Sequence, residues 1–175
     1  MSKDNLLAAT VAILDGNRAA KGTGFVISTA GLLVTCVHVL KAADISVGDT
    51  AQVQFRGIPG APVLSAIASS EYWNEEADLA VLRLTSSLPG GIVPVALRKT
   101  SPRNGDEILA LGYINDGKHA TWGDGRIVGT LADGSIQVAS SQISKGFSGG
   151  PIIAKSDSVI ISVARSIEKP DKFNR

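Results

Sequence analysis

Apolar residues along the chain fall into short runs separated by clusters of glycine, proline, aspartate and serine. Residues 52–55 alternate strictly between polar and apolar, the period of a half-buried strand. The pattern of an amphipathic helix is limited to one candidate turn at residues 38–43. The runs predict eleven strands, at residues 10–14, 24–28, 32–36, 51–55, 64–69, 79–84, 107–112, 125–131, 136–140, 150–154 and 159–164.

The spacing of these strands favours an all-β fold, because helices do not alternate with the strands as they would in a parallel α/β sheet. Six predicted strands precede a connection near residues 87–105, and five follow it. The dipeptide Asp133-Gly134 lies between two of the later strands and is a typical hairpin turn. We interpret the chain as two β-halves that meet near this connection.

The first apolar stretch, residues 6–14, allows two interpretations. Nine apolar or small residues after Lys3 are similar to the core of a signal peptide. However, Asp4 lies in the flank that should be basic, and no small-x-small cleavage site follows before Asp15. The stretch therefore favours a first β-strand.

Composition excludes several classes of function. The 175 residues include 17 basic and 16 acidic side chains, a net charge of +1, so we expect no nucleic-acid partner. No apolar run approaches the ~20 residues of a membrane span, and we expect no membrane partner. The single cysteine, Cys36, cannot form an intrachain disulfide, which favours the cytoplasm. We also expect no metal or cofactor, because no cysteine–histidine cluster or phosphate-loop motif occurs.

The most specific motif is KGFSGGP at residues 145–151. A serine between glycines can expose its hydroxyl on a tight turn while nearby backbone N–H groups converge on one point. Such a point stabilises the negative oxygen of a tetrahedral acyl intermediate. The motif thus indicates a nucleophilic serine, Ser148, although a glycine turn with a structural serine is the plainer alternative.

The same motif fits the G-x-S-x-G pattern of α/β-hydrolases. In that class a histidine follows the serine, but both histidines, His38 and His119, precede Ser148. The class also needs a helix after the serine, and Gly149-Gly150-Pro151 begins a helix poorly. Both requirements fail, so this class is excluded.

A serine nucleophile needs a base, and an imidazole base needs a group that orients it. His38 stands at the end of a predicted strand, and Asp78 stands directly before another. The order His38, Asp78, Ser148 is one of three known for such triads. Taken singly, His38 could equally be a packed core histidine and Asp78 a turn residue.

These blocks together resemble a trypsin-like (chymotrypsin-fold) serine peptidase domain of the bacterial, disulfide-free type. They are GTGFVI at residues 22–27 with TCVH at 35–38, then DLAVL at 78–82, then GFSGGP at 146–151. The resemblance implies one peptidase domain, residues 1–175, of two antiparallel six-stranded β-barrels. The N-terminal barrel takes residues 1–87 and the C-terminal barrel residues 105–175. Since eleven strands are predicted, the second barrel is expected to lack its last strand and C-terminal helix.

The resemblance also implies roles for individual residues. His38 corresponds to the general base, Asp78 to its orienting carboxylate and Ser148 to the nucleophile. The amides of Gly146 and Ser148 correspond to the oxyanion hole. Phe147 replaces the aspartate that activates digestive members, so we expect no activation by N-terminal cleavage.

Substrate-binding residues follow from the same resemblance. Gln142, six positions before the nucleophile, corresponds to the base of the specificity pocket, and its neutral side chain predicts no preference for Arg or Lys. Ala164, Arg165 and Ser166 correspond to the strand edge that pairs with substrate backbone.

Residues 169–173 resemble the point at which such domains continue in large bacterial proteins with a STAND-type nucleotide-binding module and often a WD40 propeller. We therefore expect regulatory domains C-terminal to the peptidase in a longer chain. Our leading hypothesis is a serine endopeptidase acting on polypeptide substrates. The alternative is a catalytically silent trypsin-like module for binding or sensing.

Overall fold

The computed structural model describes residues 1–97, 102–114, 119–132, 134–156 and 159–165. These residues form two short helices, α1 (Lys3–Ala9) and α2 (Val37–Ala42). The strands are β1 (Thr10–Leu14), β2 (Ala20–Val26), β3 (Leu32–Thr35), β4 (Thr50–Gln54), β5 (Val63–Asn74), β6 (Leu79–Leu84), β7 (Glu107–Tyr113), β8 (Ala120–Thr130), β9 (Ile136–Ala139), β10 (Pro151–Ala154) and β11 (Val159–Val163).

Helix α1 occupies part of the segment that the sequence predicted as a strand. The strand interpretation of residues 6–14 is wrong for residues 6–9, which are helical. The Ser2 hydroxyl caps the helix by accepting a backbone N–H at 3.1 Å. Leu6 and Ala9 are buried in the hydrophobic core that also contains Val11 and Phe25. Because the apolar run is continuous, its pattern could not separate the helix from β1.

The first six strands form a closed antiparallel barrel in the order β1-β2-β3-β6-β5-β4. In β4 the alternate residues Ala51 and Val53 are buried, as the polar–apolar alternation at residues 52–55 predicted. The interior is filled by fully buried aliphatic and aromatic side chains, among them Val11, Ile13, Phe25, Leu33, Val53, Phe55 and Leu82.

The other five strands form an antiparallel sheet in the order β11-β10-β7-β8-β9. In the first barrel, β6 lies between β3 and β5 and closes the sheet. No strand of the described residues takes the equivalent place between β9 and β11, so the second sheet curls without closing. This all-β architecture confirms the predicted fold class.

Several element boundaries differ from the sequence prediction. Strand β5 is longer than predicted because the largely exposed polar residues at its end continue the pairing beyond the apolar run. Strand β8 begins earlier than predicted because residues 120–124 also pair with β7. The predicted helical turn near residue 38 is α2. In the predicted hairpin, Asp133 lies outside the described residues. The following Gly134 has φ +82° and donates to Leu131 O at 2.9 Å.

The connection between the halves crosses both of them. Val95 N donates to Val26 O at 3.0 Å in the first barrel. Ile160 N, in β11, donates to Ala96 O at 3.1 Å. The two halves are thereby held side by side, and the loops after β3, before β6 and before β10 meet at their junction.

Candidate active site

His38 lies in the first turn of α2, directly after β3 ends, and half of its side chain is exposed. Asp78 lies in the turn before β6 with φ +52°, a left-handed conformation that aspartate and asparagine tolerate better than most residues. This turn is closed by a hydrogen bond from Asp78 N to Glu75 O at 3.2 Å. The local folding therefore directs the carboxylate of Asp78 toward α2.

Two contacts join Asp78 to His38. The backbone N–H of His38 donates to Asp78 Oδ1 at 2.9 Å, and His38 Nδ1 lies 2.6 Å from Asp78 Oδ2. Both carboxylate oxygens are thus used, and the ring is fixed on its Nδ1 side. Among the described residues, no group hydrogen-bonds the other ring nitrogen, Nε2. The imidazole is therefore oriented to exchange a proton through Nε2.

Ser148 lies in the loop between β9 and β10, immediately after a tight turn. In this turn Phe147 N donates to Ser144 O at 3.2 Å, and Gly146 has φ +106°. A positive φ at the third position is the mark of a type II turn, which favours glycine there. In the part of the chain that the structure describes, neither the Gly146 amide nor the Ser148 amide donates to a protein acceptor. Two N–H groups two residues apart are thus available to an oxygen.

The side chain of Phe147 is fully buried beneath this turn. It packs on the backbone of Gly112 and Gly123, where an added Cβ would lie 2.6 Å from Phe147 Cα and 3.3 Å from its ring. The two glycines therefore make room for the phenyl ring. The apolar side chain of Phe147 thus anchors the turn at the position that the resemblance assigns to an aspartate in digestive members.

The Ser148 hydroxyl donates to the backbone oxygen of Arg165 at 3.0 Å. Among the described residues it makes no hydrogen bond to His38. The Arg165 guanidinium in turn donates to Ala77 O at 2.9 Å and to Ser135 Oγ. Since Ala77 precedes Asp78, Arg165 ties the serine loop to the turn that carries the aspartate. The sequence motifs did not predict this bridge.

A cleft of about 720 Å³ opens beside Ser148. Ala77 and Leu79 from the first barrel contribute to its wall, as do Ala164 and Arg165. Most of the remaining wall is apolar or carries hydroxyl groups, including Leu131, Ile136, Val138, Ser140, Ile143, Ile152 and Ile161. The structure thus brings the predicted Ala164 and Arg165 to the cleft.

The other two predicted substrate-binding residues have different outcomes. The amide oxygen of Gln142 accepts from Asp124 N at 2.9 Å, which ties this side chain to β8. Gln142 is not among the residues that line the cleft. Its role in specificity remains a prediction. Ser166 lies outside the described residues.

Cys36 lies close to the histidine and the aspartate. One donor atom from each of Cys36, His38 and Asp78 lies within 4.8 Å of the others, a cluster that could in principle hold a metal ion. However, burial raises the pKa of the Cys36 thiol to about 12, and the thiol donates to Ala164 O at 3.3 Å. The thiol is protonated at neutral pH, and both oxygens of Asp78 already bind His38. The donor set therefore fits a metal ion poorly.

Comparison with known proteins agrees with this geometry. Residues 22–161 match the family model described as a trypsin-like peptidase domain. Because this match covers most of the chain, the protein belongs to the trypsin-like peptidase family. No curated protein matches the sequence.

Solved structures share the fold. The chain is similar to a crystal structure of Rv3671c protease in an inactive form, with a TM-score of 0.73 and 21% sequence identity over 95% of this chain and 81% of that chain. It is also similar to the serine endoprotease from Yersinia pestis, with a TM-score of 0.71 and 21% identity. The second similarity covers 94% of this chain and 58% of that chain. Both relatives confirm a chymotrypsin-like fold.

Neither helix in the described ranges has the length or the apolar character that crossing a membrane requires.

Proposed function

We propose that the protein is a serine endopeptidase in which Ser148 is the nucleophile, His38 the general base and Asp78 the orienting carboxylate. The observation that carries this proposal is the double contact of Asp78 with His38. It fixes the imidazole at the junction where the Ser148 turn presents two amides that donate to no acceptor in the described part of the chain.

In the first step, Ser148 Oγ attacks the carbonyl carbon of the scissile peptide bond and gives its proton to His38 Nε2. A C–O bond forms, and the carbonyl π electrons move onto the oxygen. Asp78 stabilises the imidazolium through Nδ1. The N–H groups of Gly146 and Ser148 donate to the new oxyanion.

In the second step, the intermediate collapses and the C–N bond breaks. His38 gives its proton to the leaving amine, and an acyl-enzyme remains on Ser148. Water then repeats the sequence with His38 as base and releases the acid. Attack requires the Ser148 hydroxyl to leave Arg165 O, and a rotation about its χ1 angle supplies this movement.

The cleft supports discrimination against Lys and Arg side chains at the residue before the scissile bond. Arg165 is the charged group among the described lining residues, and a positive charge disfavours a Lys or Arg side chain beside it. Among the described residues of the wall, which are mostly apolar or hydroxyl-bearing, no carboxylate is present to pair with a basic side chain. We also propose that the protein acts in the cytoplasm, since its fold uses no disulfide.

The test is reaction with a fluorophosphonate, read by intact mass. Ser148 Oγ displaces fluoride from phosphorus, so one adduct that maps to Ser148 supports the proposal. The Ser148→Ala variant is the control and should acquire no adduct. Absence of an adduct on the wild-type chain would refute the proposed chemistry.

A catalytically silent binding or sensor module is the second candidate. The hydrogen bond from Ser148 to Arg165 O favours it, because a hydroxyl held there is not activated by His38. Under this alternative the wild-type chain binds peptides but neither reacts with the fluorophosphonate nor cleaves them.

Regulation by domains C-terminal to the peptidase also remains a proposal, since residues 169–173 lie outside the described residues. A longer chain that labels at a different rate would support it.

A further inference from the structure

Thr23, in β2 of the first barrel, contacts the other half at two points of the turn that carries Ser148, residues 144–148, here called the nucleophile turn. Its backbone N–H donates to Ser148 O at 2.9 Å. Its hydroxyl donates to Gly146 O at 2.9 Å and accepts from Tyr113 N at 2.9 Å. The residue is completely buried. One threonine therefore joins the first barrel both to the turn and to β7.

The orientation of Thr23 is itself fixed. The Thr35 hydroxyl, also buried, donates to Thr23 O at 2.7 Å. The N–H, the carbonyl and the hydroxyl of Thr23 are thus all hydrogen-bonded, and the hydroxyl both donates and accepts. Since its proton is directed to Gly146 O while a lone pair receives Tyr113 N–H, the side chain has little rotational freedom.

We propose that Thr23 is a positioning residue that holds the turn of residues 144–148 against the first barrel and thereby keeps the Ser148 hydroxyl in position for attack. This role rests on the peptidase function proposed above. Glycine has no side chain to restrict its backbone, so the peptide planes on both sides of Gly146 can rotate unless something holds them. The Thr23 hydroxyl and the hydrogen bond from Phe147 N to Ser144 O both hold the Gly146–Phe147 peptide unit, and the Thr23 N–H holds the carbonyl of Ser148.

The hydroxyl is the part of the side chain that matters here. Valine has nearly the same shape but neither donates nor accepts, so Thr23→Val leaves Gly146 O and Tyr113 N without this partner. Serine keeps the hydroxyl and loses only a methyl group. Thr23→Ser should therefore restore the function that Thr23→Val loses.

Thr10 provides a matched control. It is a completely buried threonine of β1 in the same barrel, and its hydroxyl donates to Leu6 O at 2.7 Å. Thr10→Val removes a buried hydroxyl that, within the described ranges, hydrogen-bonds Leu6 O and not the nucleophile turn. The loss of stability common to both variants can thus be separated from the effect on the turn.

The experiment compares the wild-type chain, Thr23→Val, Thr23→Ser and Thr10→Val by two measurements. The first is the fluorophosphonate labelling rate, which should fall about 10- to 100-fold in Thr23→Val, the cost of a small misplacement of reacting groups. The second is amide hydrogen exchange of residues 144–150, which should accelerate in Thr23→Val. Thr23→Ser and Thr10→Val should resemble the wild-type chain in both.

The two measurements separate the two claims. Unchanged exchange of residues 144–150 in Thr23→Val would overturn the role of Thr23, as would a labelling rate no lower than that of Thr10→Val. If the wild-type chain does not label, the peptidase proposal fails, and the exchange rates still decide whether Thr23 holds the turn.

Discussion

Asp78 binds His38 with both of its carboxylate oxygens, one at the backbone N–H at 2.9 Å and the other at 2.6 Å from ring nitrogen Nδ1. The first contact fixes the carboxylate relative to the start of α2, and the second fixes the imidazole. The ring cannot turn without losing the second contact. This arrangement favours the tautomer with a proton on Nδ1 and a lone pair on Nε2.

Asp78→Asn should therefore abolish most of the activity while preserving the fold. An asparagine amide can donate to Nδ1, which stabilises the tautomer that carries its proton on Nε2 and cannot accept one from Ser148. The fluorophosphonate labelling rate should fall about 10⁴-fold. Asparagine tolerates the left-handed conformation of residue 78, so we expect little change in the free energy of unfolding.

Asp44→Asn is the control for this variant. Asp44 is also an aspartate with a positive φ, +60°, but it is exposed in the loop after α2. The Asp44→Asn variant should react with the fluorophosphonate at the wild-type rate. Equal labelling by Asp78→Asn and the wild-type chain would show that the contact with His38 has no role in the chemistry.

Gly146→Ala should disrupt the proposed oxyanion hole. An added Cβ would lie 2.7 Å from Tyr113 O and 2.8 Å from Ile114 Cα, and φ is +106°. The turn must therefore rearrange, and the labelling rate should fall at least about 100-fold. In Gly60→Ala the residue also has a positive φ, +78°, but no atom lies within 4 Å of the added Cβ. If the labelling rate fell by a similar factor in both variants, backbone strain alone would explain the effect.

Arg165→Met should broaden substrate selection. The variant removes the positive charge from the cleft wall, so cleavage after Lys or Arg should rise at least about tenfold relative to cleavage after neutral residues. The ratio of kcat/KM values for matched peptides measures this change. Arg126→Met is the control, because Arg126 is an exposed arginine of β8 that does not line the cleft. An unchanged ratio would contradict a role for Arg165 in selection.

Stability should decline in alkaline solution because of Cys36. Burial raises the pKa of its thiol from 9.0 to about 12. The folded chain therefore holds this proton more tightly than the unfolded chain does. The contribution of Cys36 to the free energy of unfolding should be fully present below pH 9. It should be lost between pH 9 and 12, by at most about 1.4 kcal/mol per pH unit.

The measurement is the free energy of unfolding in urea from about pH 8 to about pH 10 for the wild-type chain and Cys36→Ala. The upper limit avoids most of the contribution from Tyr113, whose pKa burial also raises to about 12. The alanine variant should show a flatter dependence on pH. Parallel curves for the two chains would mean that Cys36 is not the cause.

Local patterns were sufficient to predict the strands and the fold class. The apolar run of residues 10–14 coincides with β1, and that of residues 79–84 coincides with β6. Helix α1 was missed because Leu6 and its neighbours form one apolar run with β1. The ends of β5 were missed because register, rather than hydropathy, decides how far pairing extends.

In the candidate site too, some features could be predicted from the sequence and others could not. His38, Asp78 and Ser148 each lie in a recognisable segment, so the sequence could identify them as candidates. The hydrogen bonds of Thr23 join residues 90 and 123 positions apart in the chain. The contact between Ser148 and Arg165 depends on how β11 leaves the second sheet. Such relationships depend on the packing of the two halves, which no local pattern encodes.

The central claim is that Ser148 cleaves internal peptide bonds, and the most direct test is cleavage itself. A peptide library would be incubated with the wild-type chain and with Ser148→Ala, and new peptide ends would be identified by mass spectrometry. The account predicts new ends with the wild-type chain alone, mostly after residues other than Lys and Arg. Identical products from both chains, or no cleavage by a wild-type chain that reacts with the fluorophosphonate, would contradict it.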